Sequence, residues 1–109
     1  MVDASHPLGE AVPISGLPER GRVVCQGFIE SVTYAPATQV AAFTAIVTDH
    51  DRPAPMRRNR LRVIWLGRRR IPGIDAGTEL RLEGMLTVRD GLPTIFNPRY
   101  EILSHQENQ

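Results

Sequence analysis

Arg57, Arg58, Arg60, Arg62, Arg68, Arg69 and Arg70 fall within fourteen residues, and no acid stands among them. A guanidinium is permanently charged and presents a fork of N–H donors that matches phosphate and carboxylate oxygens. Arginine at this density is equipped to grip a polyanion. Arg60 and Arg62 are two residues apart, the spacing that puts both side chains on one side of a β-strand. Tyr34, in a loop earlier in the chain, adds an aromatic face on which a base could stack. Together Tyr34 and the seven arginines are the candidate nucleic-acid-binding residues.

Other chemistries find little support. His6 and His105 lie near the ends of the sequence, and His50 stands between Asp49 and Asp51. Neighbouring residues do not converge easily on one ion, so no metal site is expected. The sequence has no Gly-rich phosphate loop ending in GK(S/T), no GxSxG and no HExxH. Ser15 and Ser31 have no recognisable base. We therefore expect no catalytic residue, no cofactor and no enzyme. Cys25, the single cysteine, sits in the apolar run VVCQGF and reads as a small buried hydrophobe.

The formal net charge is only +1, with 13 cations, all arginine, against 12 acids. Polyanion binding must therefore come from the distribution of charge and not its total. The acids collect at Asp49 and Asp51, at Glu79 and Glu83, and toward the ends. Hydrophobic residues make up 41% of the chain and no run is long enough to span a bilayer. The N-terminus lacks the pattern of a secretory signal, so the expected location is the cytoplasm, with no membrane partner.

The elements that would position these arginines are strands. Arg22 to Val32 is rich in β-branched residues, and Gly27 within it suggests a bend or bulge. Val40 to Thr48, Arg60 to Leu66, Glu79 to Leu86 and Leu92 to Asn97 follow. Alternation places Phe43, Ala45, Val47, Leu61, Val63, Trp65, Leu80, Leu82 and Leu86 inward. It places Arg60, Arg62, Arg81, Glu83 and Met85 outward. Asp90-Gly91 signals a tight hairpin. Ile71 and Ile74 lie in the connection after the third strand and would plug one end of a barrel. Tyr100 to Leu103 adds a short tail strand or packed segment. Phe28, Phe43, Phe96 and Tyr100 are assigned mainly to packing.

Five strands with no substantial helix fit an all-β, five-stranded Greek-key barrel of the OB type. The expected organisation is a loose, flexible leader over residues 1–19, whose Val12 to Ile14 could pack on the barrel or dangle, then one domain over 20–103 and a disordered tail over 104–109. In such barrels single strands of nucleic acid cross the second and third strands.

Particular residues strengthen this expectation. Gly27, Ile29, Ser31 and Val32 (GxIxSV), then Val47 and Asp49 (VxD), then WLGRRRIPGI, GTxLxxxG and NPRYEIL, resemble a small OB-fold nucleic-acid-binding family of actinobacteria. The likeness spans Ile14 to Leu103. The second half is also similar to the OB-type wedge domain of the bacterial branched-DNA helicase. Where that family carries a tight Asp-Gly-Thr-Gly-type turn between strands two and three, this chain has the longer, more basic DHDRPAPMRRN. The resemblance implies non-catalytic binding of single-stranded or branched DNA, with RNA as a further ligand. The alternative is a protein-interaction module or accessory subunit, including a homodimer formed through an exposed strand edge.

Overall fold

A computed structural model describes residues 10–50 and 59–104. The described residues are all-β apart from one turn of 3-10 helix at Ile14–Gly16. Seven strands form one sheet: β1 (Val12–Pro13), β2 (Gly21–Tyr34), β3 (Ala42–Thr48), β4 (Leu61–Leu66), β5 (Glu79–Arg89), β6 (Leu92–Phe96) and β7 (Arg99–Ser104). The five expected strands are β2 to β6. The additions are β1, drawn from the leader, and β7, the tail segment.

The order of pairing places the site. β2 pairs antiparallel with β3, β3 with β4, and β4 runs parallel to β6. β6 pairs with β5, and β5 returns to β2. The pairings thus close a ring of five strands. β2 serves two neighbours because it is long: Gly21 to Phe28 face β5, and Phe28 to Tyr34 face β3.

The handover between those neighbours explains Gly27. A Cβ there would lie 2.5 Å from the carbonyl oxygen of Thr48 and 2.8 Å from Val47 Cγ1. No side chain fits that approach. The bulge itself is not at Gly27 but between Ile29 and Ser31. Ile29 is held on one side by its pairing with Val47. On the other, its amide donates to the Thr78 carbonyl and its carbonyl accepts the Gly77 amide, both at 2.8 Å.

Alternation fills the interior as expected. Phe43, Ala45, Val47, Leu61, Val63, Leu80, Leu82 and Ile95 are fully buried, with Trp65 and Leu86 nearly so. Ile71 and Ile74, from the β4–β5 connection, are buried in the same cluster. Each such aliphatic side chain contributes about 1.5–3 kcal/mol relative to exposure. Cys25 is also fully buried, and burial, reinforced by Asp49, pushes its thiol pKa up from 9.0 to about 12. It is a core residue and not a nucleophile.

The leader is docked where it meets β2. Val12 and Pro13 pair with Cys25 and Gln26, and Ile14 is buried. The Asp49 carboxylate accepts the amides of Ile14 at 2.7 Å and Ser15 at 3.0 Å. Asp49 therefore caps a backbone turn, and among the described residues no cluster of three metal-ligating side chains exists.

Candidate nucleic-acid interface

Alternation along β3, β4 and β6 builds one outer face. Phe43, Ala45 and Val47 point in, so Thr44 and Ile46 point out. Val63 and Trp65 point in, so Arg62 and Ile64 point out. Thr44 pairs with Ile64 and Ile46 with Arg62. Ile64 pairs with Phe96 and Arg62 with Thr94. Ile95 is fully buried, so Phe96 projects onto the same outer face. The result is a half-buried apolar strip, Ile46, Ile64 and Phe96, with a cation at its edge.

The β5–β6 hairpin supplies a second cation. Arg89 places its guanidinium carbon 5.3 Å from the centre of the Phe96 ring, within cation–π range. Arg62 donates to the Arg89 carbonyl at 3.1 Å and lies 3.8 Å from the Asp90 carboxylate. Asp90 and Gly91 both have positive φ, 54° and 76°, which a two-residue hairpin of this hand requires. The turn residues thus bring Arg89, Arg62 and Phe96 together.

Arg60 stands apart. Its Nε donates to Glu30 Oε1 at 2.8 Å and its Nη2 to Oε2 at 3.3 Å. The bulge presents Glu30 to it. This fork-to-fork pair raises the Arg60 pKa, through the hydrogen bond first and the opposite charge second. Arg60 points outward as expected, but a carboxylate already engages its Nε and Nη2.

The remaining candidates gather at the opposite end of β4. Gly67 donates to the Ala41 carbonyl at 3.0 Å, which sets the start of the Arg68–Arg70 run beside the β2–β3 turn. Arg69 donates to the carbonyls of Pro36 at 3.2 Å and Gln39 at 2.9 Å, clamping that turn. Arg68 and Arg70 are exposed and form no hydrogen bond or ion pair with the described residues. The acids that might have paired with this run are engaged elsewhere. Glu83 meets Arg22 and Arg99, Glu101 meets Arg81, and Glu79 accepts from Gln26 and Ser104.

Tyr34 also belongs to this end. It pairs with inward-facing Phe43, so its ring lies over the rim of the interior and not on the arginine face. Tyr34, Phe43, Trp65 and Tyr100 form a continuous row, with successive ring centres 5.4, 5.7 and 5.7 Å apart. Tyr34 and Tyr100 are half-exposed at the two ends of the row. The structure therefore separates Tyr34 and Arg68 to Arg70 from Arg60 and Arg62. Arg57 and Arg58 lie outside the described residues.

Arg89 and Phe96 were absent from the sequence-derived site. The signal for Phe96 was its parity opposite Ile95. Arg89 became a neighbour only through the hairpin. Comparisons with protein-family models and with curated proteins find no match to this chain.

Proposed function

We propose that this chain is an OB-type Greek-key barrel that binds single-stranded or branched nucleic acid without catalysis, in the cytoplasm. The observation that carries the reading is the outer face of β3, β4 and β6, where Arg62 and Arg89 flank Phe96 and Ile64. Phosphates need cations and unpaired bases need a flat apolar surface, and this face offers both within one strip. The closed cycle β2–β3–β4–β6–β5 supports the barrel assignment, because an OB barrel joins its strands in this sequence. Arg68 and Arg70, free of partners among the described residues, extend the cationic surface at the far end of β4.

Binding of this kind is electrostatic and largely indifferent to sequence. The test is fluorescence anisotropy with labelled single-stranded, forked and duplex DNA and with RNA, each at two salt concentrations. Salt-sensitive binding that is strongest for single-stranded or forked ligands supports the reading. Absence of binding to all four at low salt rejects it.

A further inference from the structure

The segment ahead of β2 reaches its place by a short path. Val12 and Pro13 run parallel to β2 beside Cys25 and Gln26, while β2 itself begins at Gly21. Parallel neighbours in a sheet are ordinarily joined by a crossover of roughly a dozen residues or more. Here only Ile14 to Arg20 lie between them. The chain must come back from the level of Gln26 to that of Gly21, about 16 Å at the rise of a strand. The 3-10 turn Ile14–Gly16 covers little of that distance, so Leu17 to Gly21 make the return with little slack. Gly21 closes it at φ 107°, a conformation that a residue with a Cβ rarely adopts.

The dock holds the arm and not the link behind it. Ile14 is buried in the core and Leu17 packs against the same cluster. Asp49 accepts the Ile14 and Ser15 amides. A cavity of ≈ 380 Å³ remains beside the arm, lined by Val12, Pro13, Gln26, Phe28, Asp49 and Glu79, so the arm is incompletely enclosed. Pro18, Glu19 and Arg20 are exposed, and the side chains of Glu19 and Arg20 form no hydrogen bond or ion pair with a described residue. The contacts that seat the arm thus lie in residues 12–17, and none depends on which chain supplies the link to Gly21.

We propose that residues 12–17 form an exchangeable arm, docked on β2 and Asp49 of a second copy of the chain in a reciprocal dimer. Exchange keeps the bonds of the dock. It removes the taut return and the reversal at Gly21, because the arm then runs on to the neighbouring copy. Exchanging an identical element between copies is a low-cost route to a dimer, and short hinges under strain favour it. The dock is already complementary to this segment, with a core site for one aliphatic anchor and one carboxylate for two successive amides. The arm, hinge and dock share no residue with the strip of Ile46, Ile64 and Phe96 or with Arg62 and Arg89. This inference therefore stands independently of nucleic-acid binding.

Disulfide trapping reads the exchange directly. Pro13 and Gln26 are partners in register. Adjacent strands lie about 4.8 Å apart, within reach of a disulfide. Chains carrying Pro13→Cys alone and Gln26→Cys alone, mixed and oxidised, should form the bond between the two different introduced thiols in excess over like-with-like bonds. Peptide mass spectrometry distinguishes them, and native Cys25 is buried and does not compete. Sedimentation of the unaltered chain from about 10 µM to about 1 mM should show the mass rising from 12.1 kDa toward twice that value. Gly21→Ala strains the closed return more than an extended arm and should tighten the dimer about tenfold or more. A Gly-Ser insertion of about four residues after Pro18 slackens the return and should weaken the dimer about tenfold. A purely structural role for Gly21 predicts a less stable monomer and no gain of dimer. Circular-dichroism melts confirm that both hinge variants fold. A monomer mass at every concentration overturns the proposal, as does a mixed bond no more frequent than the like bonds. So does a dimer that neither hinge change shifts in the stated direction.

Discussion

The side-chain carbonyl of Asn97 accepts the amide of Leu66 at 2.8 Å, where a parallel ladder would use the Asn97 backbone carbonyl. One step earlier the Asn97 amide donates to the Ile64 carbonyl at 2.7 Å in the ordinary way. Asn97 has φ 50°, which swings its own carbonyl aside, and Pro98 then ends the ladder. A single residue thus adds the last rung between β4 and β6 and redirects the chain into β7. Asn97→Gly keeps the left-handed backbone but loses the acceptor, and should lower stability by about 1 kcal/mol. Asn97→Ala loses both, and about 1–2 kcal/mol more should follow from the backbone. Urea midpoints for the two variants should fall in that order.

Close approach, and not flexibility, fixes two glycines. At Gly27 an added methyl group meets the Thr48 backbone, which cannot step aside. At Gly84 it would lie 2.6 Å from Ile95 Cγ2, a side-chain atom with some freedom. Gly27→Ala should therefore cost about 3 kcal/mol and Gly84→Ala about 1–2 kcal/mol, read from denaturant unfolding.

Salt dependence tests the binding face. Arg62→Ala and Arg89→Ala should each flatten the plot of log affinity against log salt by about 0.7 on a single strand. Phe96→Ala should leave that slope alone and weaken binding by about 1–3 kcal/mol through lost stacking. Unchanged affinity in all three variants would remove this face from the site.

Glu30 sets how much of Arg60 a ligand can use. Glu30→Gln frees the guanidinium from its carboxylate, so single-strand affinity at low salt should rise and the salt slope should steepen by about 0.7. Anisotropy titrations at two salt concentrations measure both. If neither changes, Arg60 serves the bulge alone.

Cys25 adds an alkaline limit. Its thiol is held neutral in the folded chain up to about 12, while an unfolded thiol ionises near 9.0. Above pH 9 the unfolded state binds fewer protons, so stability falls as pH rises between those values. Cys25→Ala should start less stable, because it leaves a small cavity, and should show a shallower alkaline decline in melting temperature. Thiol-reactive reagents should modify native Cys25 only as fast as the fold opens.

Much of this architecture is legible in the residue pattern because a strand's period of two is local. Leu80, Leu82 and Leu86 mark one face of β5, Trp65 shares parity with Leu61 and Val63, and Asp90-Gly91 specifies its own turn. Partners across strands are different, because register and bulges decide them. Glu30 reaches Arg60 only because an extra residue interrupts β2, and Gly27 had seemed the better place for that interruption. In the sequence Arg69 is a candidate binding residue no different from Arg68 and Arg70. Its two acceptors are backbone carbonyls, which leave no mark in side-chain identity. Phe96, assigned in the sequence mainly to packing, is turned outward by its parity with buried Ile95, and the stacking role proposed for it depends on Ile64 beside it and Arg89 above it.

The ring of pairings also orders assembly in time. As the chain emerges from the ribosome, β2, β3 and β4 can form a meander from neighbouring segments. The first half of β2 must then wait for β5, and β4 must wait for β6. Until those arrive, two hydrogen-bonding edges and the inner faces of Phe43, Val63 and Trp65 stand open to water and to other chains. Contacts between distant segments form slowly, and exposed edges aggregate while they wait. Arg60 ahead of β4 and Glu30 at the bulge place charge on these early strands, and charge discourages one unfinished sheet from joining another.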